Sequence, residues 1–127
     1  MYPTDCKYTK DHEWIRMNGA TAEIGITEYA QKQLGDIVFV EVPTVGRTVE
    51  EGQEFGNVES VKSVSDLFMP VGGKVTEVNG DLESEPELLN MEPHDTWIIK
   101  VQVSDKKQLD GLMSADKYEK FIASGED

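Results

Sequence analysis

The chain has 127 residues, 38% of them hydrophobic, and a formal net charge of −13 at neutral pH. That length fits a single domain with a modest core, residues 1–127. The acidity argues against nucleic acid and anionic membrane as partners, because both demand clustered Lys and Arg. Cys6 is the only cysteine, so an internal disulfide and a cysteine metal cluster are ruled out; dithiol chemistry would need sulfur from a cofactor. His12 and His94 are far apart and lack partners at ligand spacing, which argues against a metal site. No signal-like apolar segment, Arg-rich transit pattern or bilayer-length run is visible. The expected location is the cytoplasm, with a processed mitochondrial chain as the alternative.

In chain order, His12–Met17 and Ala20–Ile26 read as two strands joined by Asn18-Gly19, a β-hairpin with a type I′ turn. Thr27 caps a short helix through TEYAQKQL, and Gly35 stops it. Asp36–Val42 is a β-branched strand ended by Pro43. Short strands cut by glycine turns follow. The blocks VGRTVEEGQEFG and VGGKVTEVNG share a loose pattern and read as a weak internal repeat. Glu77 to Asp95 holds seven acids and no Lys or Arg, so it reads as an exposed connection with one helical turn at PELLN. Thr96–Val103 returns to strand. The C-terminal part is helical in KKQLDGLM and again in ADKYEKFI, the second capped by Ser114. Leu109, Leu112 and Met113 share one face, Tyr118, Phe121 and Ile122 another, and SGED frays.

Between the two glycine-rich blocks lies ESVKSVSDL, Glu59 to Leu67. Val58, Val61, Val64 and Leu67 recur every three residues, which by itself favours a helix. Three valines and three serines make a poor helix, however. A strand–turn–strand unit with Lys62 near its tip is the better reading.

This segment is very similar to the lipoylation site of the lipoyl-bearing H-proteins of the glycine cleavage system, with Lys62 at the place of the modified lysine. YTKDHEW, GITEYAQKQLGDIVFVEVPTVG, GKVTEVNGDLESEPELLN and the Trp-Ile-Ile-Lys of TWIIKV resemble the same family, so that the likeness runs from about Tyr8 to Ile122. One departure is MEPHDTW, where the family usually carries a glycine-containing turn. The resemblance implies a mainly β barrel-sandwich hybrid with short peripheral helices and a C-terminal helix. It implies a covalently attached lipoate on Lys62, in a monomeric carrier that is not itself an enzyme. The carrier would take an aminomethyl group from glycine decarboxylase, the P-protein, to the aminomethyltransferase, the T-protein. Dihydrolipoyl dehydrogenase, the L-protein, and a lipoyl-attaching enzyme complete its partners.

Acylation needs a neutral amine, so the attaching enzyme supplies the base. Glu59, three residues before Lys62, matches an acid read by that enzyme; the plainer alternative is an exposed strand charge. Asp66 either pins the turn or is simply solvated. Glu13 matches the family acid that meets the cationic amine of the cargo; the alternative is a solvent-facing strand residue beside a core Trp14. His12 reads as a structural neighbour, and Trp14, Phe39 and Trp97 as core. Other readings are a biotin carrier, whose lysine usually sits between methionines rather than Val61 and Ser63, a lipoate donor in a relay to other enzymes, and an unmodified binding module.

Overall fold

The structure, a computed structural model, describes residues 2–125. Its elements are β1 (Cys6–Tyr8), β2 (Glu13–Asn18), β3 (Thr21–Ile26), α1 (Glu28–Leu34), β4 (Ile37–Glu41), β5 (Thr48–Val49), β6 (Glu54–Ser60) and β7 (Val64–Phe68). There follow β8 (Gly73–Val78), α2 (Asp81–Ser84), α3 (Leu88–Met91), β9 (Ile99–Val103), a 3-10 helix (Lys106–Gly111) and α4 (Ala115–Ala123). Six strands form one antiparallel sheet in the order β1-β2-β3-β9-β8-β5, and three form a second, β4-β6-β7. The core lies between them: Ile15, Ile24, Val75 and Val101 of the first sheet join Val40, Val58 and Leu67 of the second in one buried cluster. This is the barrel-sandwich hybrid. No helix among the described residues is long and apolar enough to cross a membrane.

The hairpin from Glu13 to Ile26 forms as expected, but its turn differs. Asn18 pairs with Thr21, leaving Gly19 and Ala20 as the loop. Of these only Gly19 has positive φ, +68°. A type I′ turn requires φ > 0 at both central residues, which alanine resists; glycine alone at the first position is the II′ arrangement. The strand β1 was not expected. It is three residues long, too short for its alternation of buried Cys6 and Tyr8 about exposed Lys7 to stand out.

Both caps of α1 are where the sequence puts them. Thr27 Oγ1 accepts from the Ala30 N–H at 3.1 Å, and the Gly35 N–H donates to Gln31 O at 2.9 Å. Ser114 caps α4 by accepting from the Lys117 N–H. Leu109 and Leu112 pack on the main core, whereas Met113 joins Tyr8, Trp14 and Tyr118 in a second cluster. The three do not share one helix face, because the helix ends at Gly111 and Met113 bridges to Tyr8. In SGED, Ser124 and Gly125 close α4; Glu126 and Asp127 lie outside the described residues. The two glycine-rich blocks meet in the larger sheet, where Thr48 and Val49 pair with Lys74 and Gly73.

Phe39 is a correction. It is half exposed, as is Val38. A bulge between Ile37 and Phe39 breaks the alternation of β4, so both residues turn outward. Trp14 is fully buried, its indole N–H donating to Pro93 O at 2.9 Å, and Trp97 is partly buried against the second cluster.

The acidic segment is also more than a solvated connection. Its carboxylates face water, but Leu82 and Leu89 are buried in the main core. The glycine-less loop after α3 is tied down: Pro93 O receives Trp14, His94 O receives Arg16, and His94 Nε2 accepts the Glu28 N–H. Truncation of a fully buried leucine removes its contacts and leaves a void. Leu89→Ala is therefore expected to lose about 2–5 kcal/mol in urea denaturation. An unchanged midpoint would return the segment to the status of a surface loop.

Candidate functional site

The hairpin β6–β7 carries Lys62 at its apex. The last ladder pair is Glu59 with Val64, and the Ser60 N–H then donates to Ser63 O at 2.8 Å. Ser60 is buried, and its hydroxyl oxygen accepts from the N–H groups of Lys62 (3.3 Å) and Ser63 (3.1 Å). A serine hydroxyl satisfying backbone donors two and three residues on is the chemistry of a side-chain-closed turn. Ser60 was not picked out from the sequence; a serine two residues before the apex lysine was the available signal. The valine spacing now has its explanation: Val58 and Leu67 point into the core, while Val61 and Val64 point out.

Lys62 itself is exposed, and no salt bridge among the described residues engages it. Glu59 is exposed too. It stands on the outer face of the smaller sheet, opposite Phe39 on β4 and Val64 on β7.

Glu13 is buried, 1% exposed, and so is not the solvent-facing residue that was the alternative. Strand β2 places it where both sheets can reach it. Its Oε1 accepts from the Thr9 hydroxyl at 2.6 Å, and its Oε2 accepts from the Phe68 N–H at 3.1 Å. Burial pushes the carboxyl up from 4.5 to about 7, against the lowering effect of those two hydrogen bonds. The nearby carboxylate of Asp11 raises it further.

Between the loop before β2 and strand β7 lies an open cleft of about 420 Å³, with Lys10, Asp11 and His12 on one side and Val64, Ser65, Asp66 and Phe68 on the other. It therefore runs along β7 from Val64 to Phe68, whose N–H is the one bonded to Glu13. At ~3.3 Å per strand residue, Asp66 stands roughly 7 Å along β7 from Val64, the first strand residue after the apex. Asp66 is exposed and pairs with Asn57 in the ladder rather than bracing the turn. His12 takes a left-handed backbone, φ 70°, and its Nδ1 lies 2.7 Å from the Tyr118 hydroxyl. Tyr118 in turn meets Thr27 Oγ1 at 2.7 Å, so α4 braces the cleft wall.

Cys6 is buried, and burial pushes its thiol up to about 12, which suppresses the reactive thiolate. Burial lowers His94, whose Nε2 serves as acceptor for the start of α1. No group of His, Cys, Asp and Glu among the described residues has the arrangement of a metal site.

Comparison with known proteins converges on one family. Residues 6–125 match the family model described as glycine cleavage H-protein. The chain is 57% identical over 122 residues to the glycine cleavage system H protein of Koribacter versatilis, covering 96% of this chain and 94% of that one. It is 54% identical over 122 residues to that of Brevibacillus brevis, covering 95% and 97%. The crystal structure of a glycine cleavage system H protein from Mycobacterium marinum superposes with a TM-score of 0.85 at 36% identity, over 98% of this chain and 99% of that one. With the lysine-bearing hairpin in place and the match running almost end to end, the chain belongs to the glycine cleavage H-protein family.

Proposed function

We propose that residues 1–127 act as one lipoyl-carrying shuttle of glycine cleavage, with lipoate joined in amide linkage to the Lys62 amine. The family carries a covalently attached lipoate on a lysine. The observation that supports Lys62 as that residue is its place at the exposed apex of the β6–β7 hairpin, in a turn closed by Ser60. Acylation removes the ammonium charge, and the site tolerates that loss because no ion pair of the described residues depends on Lys62. Bound there, lipoate would supply a disulfide as acceptor for the aminomethyl group, with dihydrolipoyl dehydrogenase as the oxidant that restores the disulfide from the dithiol left after release.

The chain's own residues supply display and shelter. Glu59, an exposed acid one ladder pair from the apex, is what the attaching enzyme reads. Asp11 and Asp66 line the cleft with carboxyl groups, and Glu13, buried between its two neighbours His12 and Phe68, holds a third just behind them, a setting suited to a small cationic amine. Phe68 and Val64 supply its apolar walls. An amine cation beside Glu13 favours the ionised carboxylate and offsets its burial. Glu13 thus binds the cargo and withholds it from water.

The partners in this reading are glycine decarboxylase, the aminomethyltransferase, dihydrolipoyl dehydrogenase and the lipoyl-attaching enzyme, each meeting a cytoplasmic monomer. The chain catalyses no step of its own. In support, Cys6 is held as a buried thiol, and His94 is committed to the Glu28 N–H as a helix cap.

Lys62→Arg keeps the charge and removes the acylatable amine. The variant is expected to fold normally, gain no lipoyl mass in intact-mass analysis, and give no shuttle activity in a reconstituted glycine cleavage assay. Retained activity would sink the assignment.

Glu13 makes a prediction for stability. Its folded value lies above its unfolded one, so the unfolded chain releases the proton first as pH rises. The contribution is full below about 4.5 and is lost as pH climbs towards about 7. At about 1.4 kcal/mol per unit, wild type is expected to lose a few kcal/mol relative to Glu13→Gln over that window. Urea melts of both proteins from about pH 4 to about pH 8 measure it. A difference independent of pH would show that the buried carboxyl titrates like an exposed one.

A further inference from the structure

The acidic segment holds an amide whose contacts the shuttle reading does not use. Asn90, on α3, reaches across to the corner between α1 and β4. Its Oδ1 accepts from the Ile37 N–H at 2.9 Å, and its Nδ2 donates to Gly35 O at 2.9 Å and to Gln31 Oε1 at 3.0 Å. One side chain thereby pins the residues on both sides of Asp36. Asp36 is the residue on which the apex rests: its carbonyl accepts the Val61 N–H at 2.9 Å. Beyond its own Ser60-closed turn, the apex has this backbone bond to another element.

The same corner touches the lysine side chain. Gly35 sits at φ +80°, and a Cβ there would lie 3.3 Å from Lys62 Cε. The glycine thus leaves just enough room for the lysine stem to lie along the corner. Within the corner Ile37 is anchored in the core and pairs with Ser60, whereas Asp36 is exposed and Gly35 is past the end of the helix, so the side-chain bonds from Asn90 fall on either side of the exposed residue.

We propose that Asn90 is the positioning residue for the Lys62 hairpin: it fixes the Gly35–Ile37 corner against which both the Val61 backbone and the Lys62 stem are laid. A held apex reaches a modifying enzyme already ordered. A loose one must be ordered on docking, which raises KM more than it lowers kcat. The consequence for acylation rests on Lys62 being the lipoylated residue; the consequence for apex order does not.

The test compares Asn90→Ala with Asn79→Ala. Asn79 belongs to the same segment, accepting from the Asp81 N–H and donating to Trp97 O at 2.8 Å, and it does not touch the corner. In the unmodified full chain, amide hydrogen exchange is read at Val61, with the Ile98 N–H, bonded to Ile24 O at 2.7 Å, as reporter of the larger sheet. Asn90→Ala is expected to speed exchange at Val61 by about tenfold while Ile98 holds. With a lipoate–protein ligase, ATP and lipoate, its KM is expected to rise about tenfold at nearly constant kcat. Asn90→Asp keeps the acceptor for Ile37 but sets a carboxylate oxygen against the Gly35 carbonyl, and is expected to do at least as much as Asn90→Ala. Asn79→Ala leaves Val61 exchange and KM at wild-type values. Wild-type exchange at Val61 in Asn90→Ala, or an equal effect from Asn79→Ala, overturns the proposal. A wild-type chain that takes no lipoyl group overturns the functional reading instead, and the exchange comparison still decides the role of Asn90.

Discussion

A buried carboxyl group ties the two sheets together where the cleft opens. Glu13 stands on β2 of the larger sheet and accepts the Phe68 N–H at the end of β7 in the smaller one. Burying an ionised carboxylate without a cation is costly unless it is neutralised or well hydrogen-bonded. Here two donors reach it, and burial still dominates, holding the carboxyl well above the ordinary carboxylate range. A glutamine would satisfy the same two partners, with its amide nitrogen towards Thr9, and avoid the burden. The acid is a worse structural choice and a better receiver of a cation. Perturbed acids set beneath clefts are where such stability is commonly given up for function.

The apex of the hairpin solves the opposite problem. On the proposed reading Lys62 must be reachable; its side chain is exposed while its backbone is ordered. Ser60 does this from within, closing the turn through two N–H groups. Asp36 does it from outside, through Val61. The proposed attachment point is therefore held by main-chain bonds, which acylation of the amine would leave untouched. Charge is handled in the same spirit: the ammonium can be lost without stranding a partner carboxylate, which would be the expensive outcome in a buried pair.

What the sequence made legible was local. Thr27 and Gly35 mark the ends of α1 because capping chemistry acts within one turn of backbone. The Lys62 hairpin could be preferred over a helix because valine and serine lower helix propensity, even though their spacing was ambiguous. The missed features depend on distant chain. Phe39 turns outward because of a bulge in β4, which no alternation rule foresees. Leu82 and Leu89 look stranded among acids until the fold brings the core beneath them. The depth of Glu13 depends on Thr9 and on Phe68, 55 residues away, and Asn90 meets residues more than fifty positions upstream. Turn chemistry is written in neighbours; burial is written in topology.

The net charge of −13 belongs to the same logic. A shuttle must meet several enzymes in turn and leave each one, so affinity built from a large buried apolar face would slow every release. Long-range attraction speeds encounter without requiring such a face, and weakens as salt screens it. The exposed face beside Lys62 fits that balance. Phe39 and Val64 offer a small apolar contact, while Glu59 between them and Glu41 behind offer charge. Specificity can then come from where the charges stand, and speed from their number. The acidity that argues against nucleic acid and anionic membrane is compatible with a carrier whose encounters are guided by charge and broken readily.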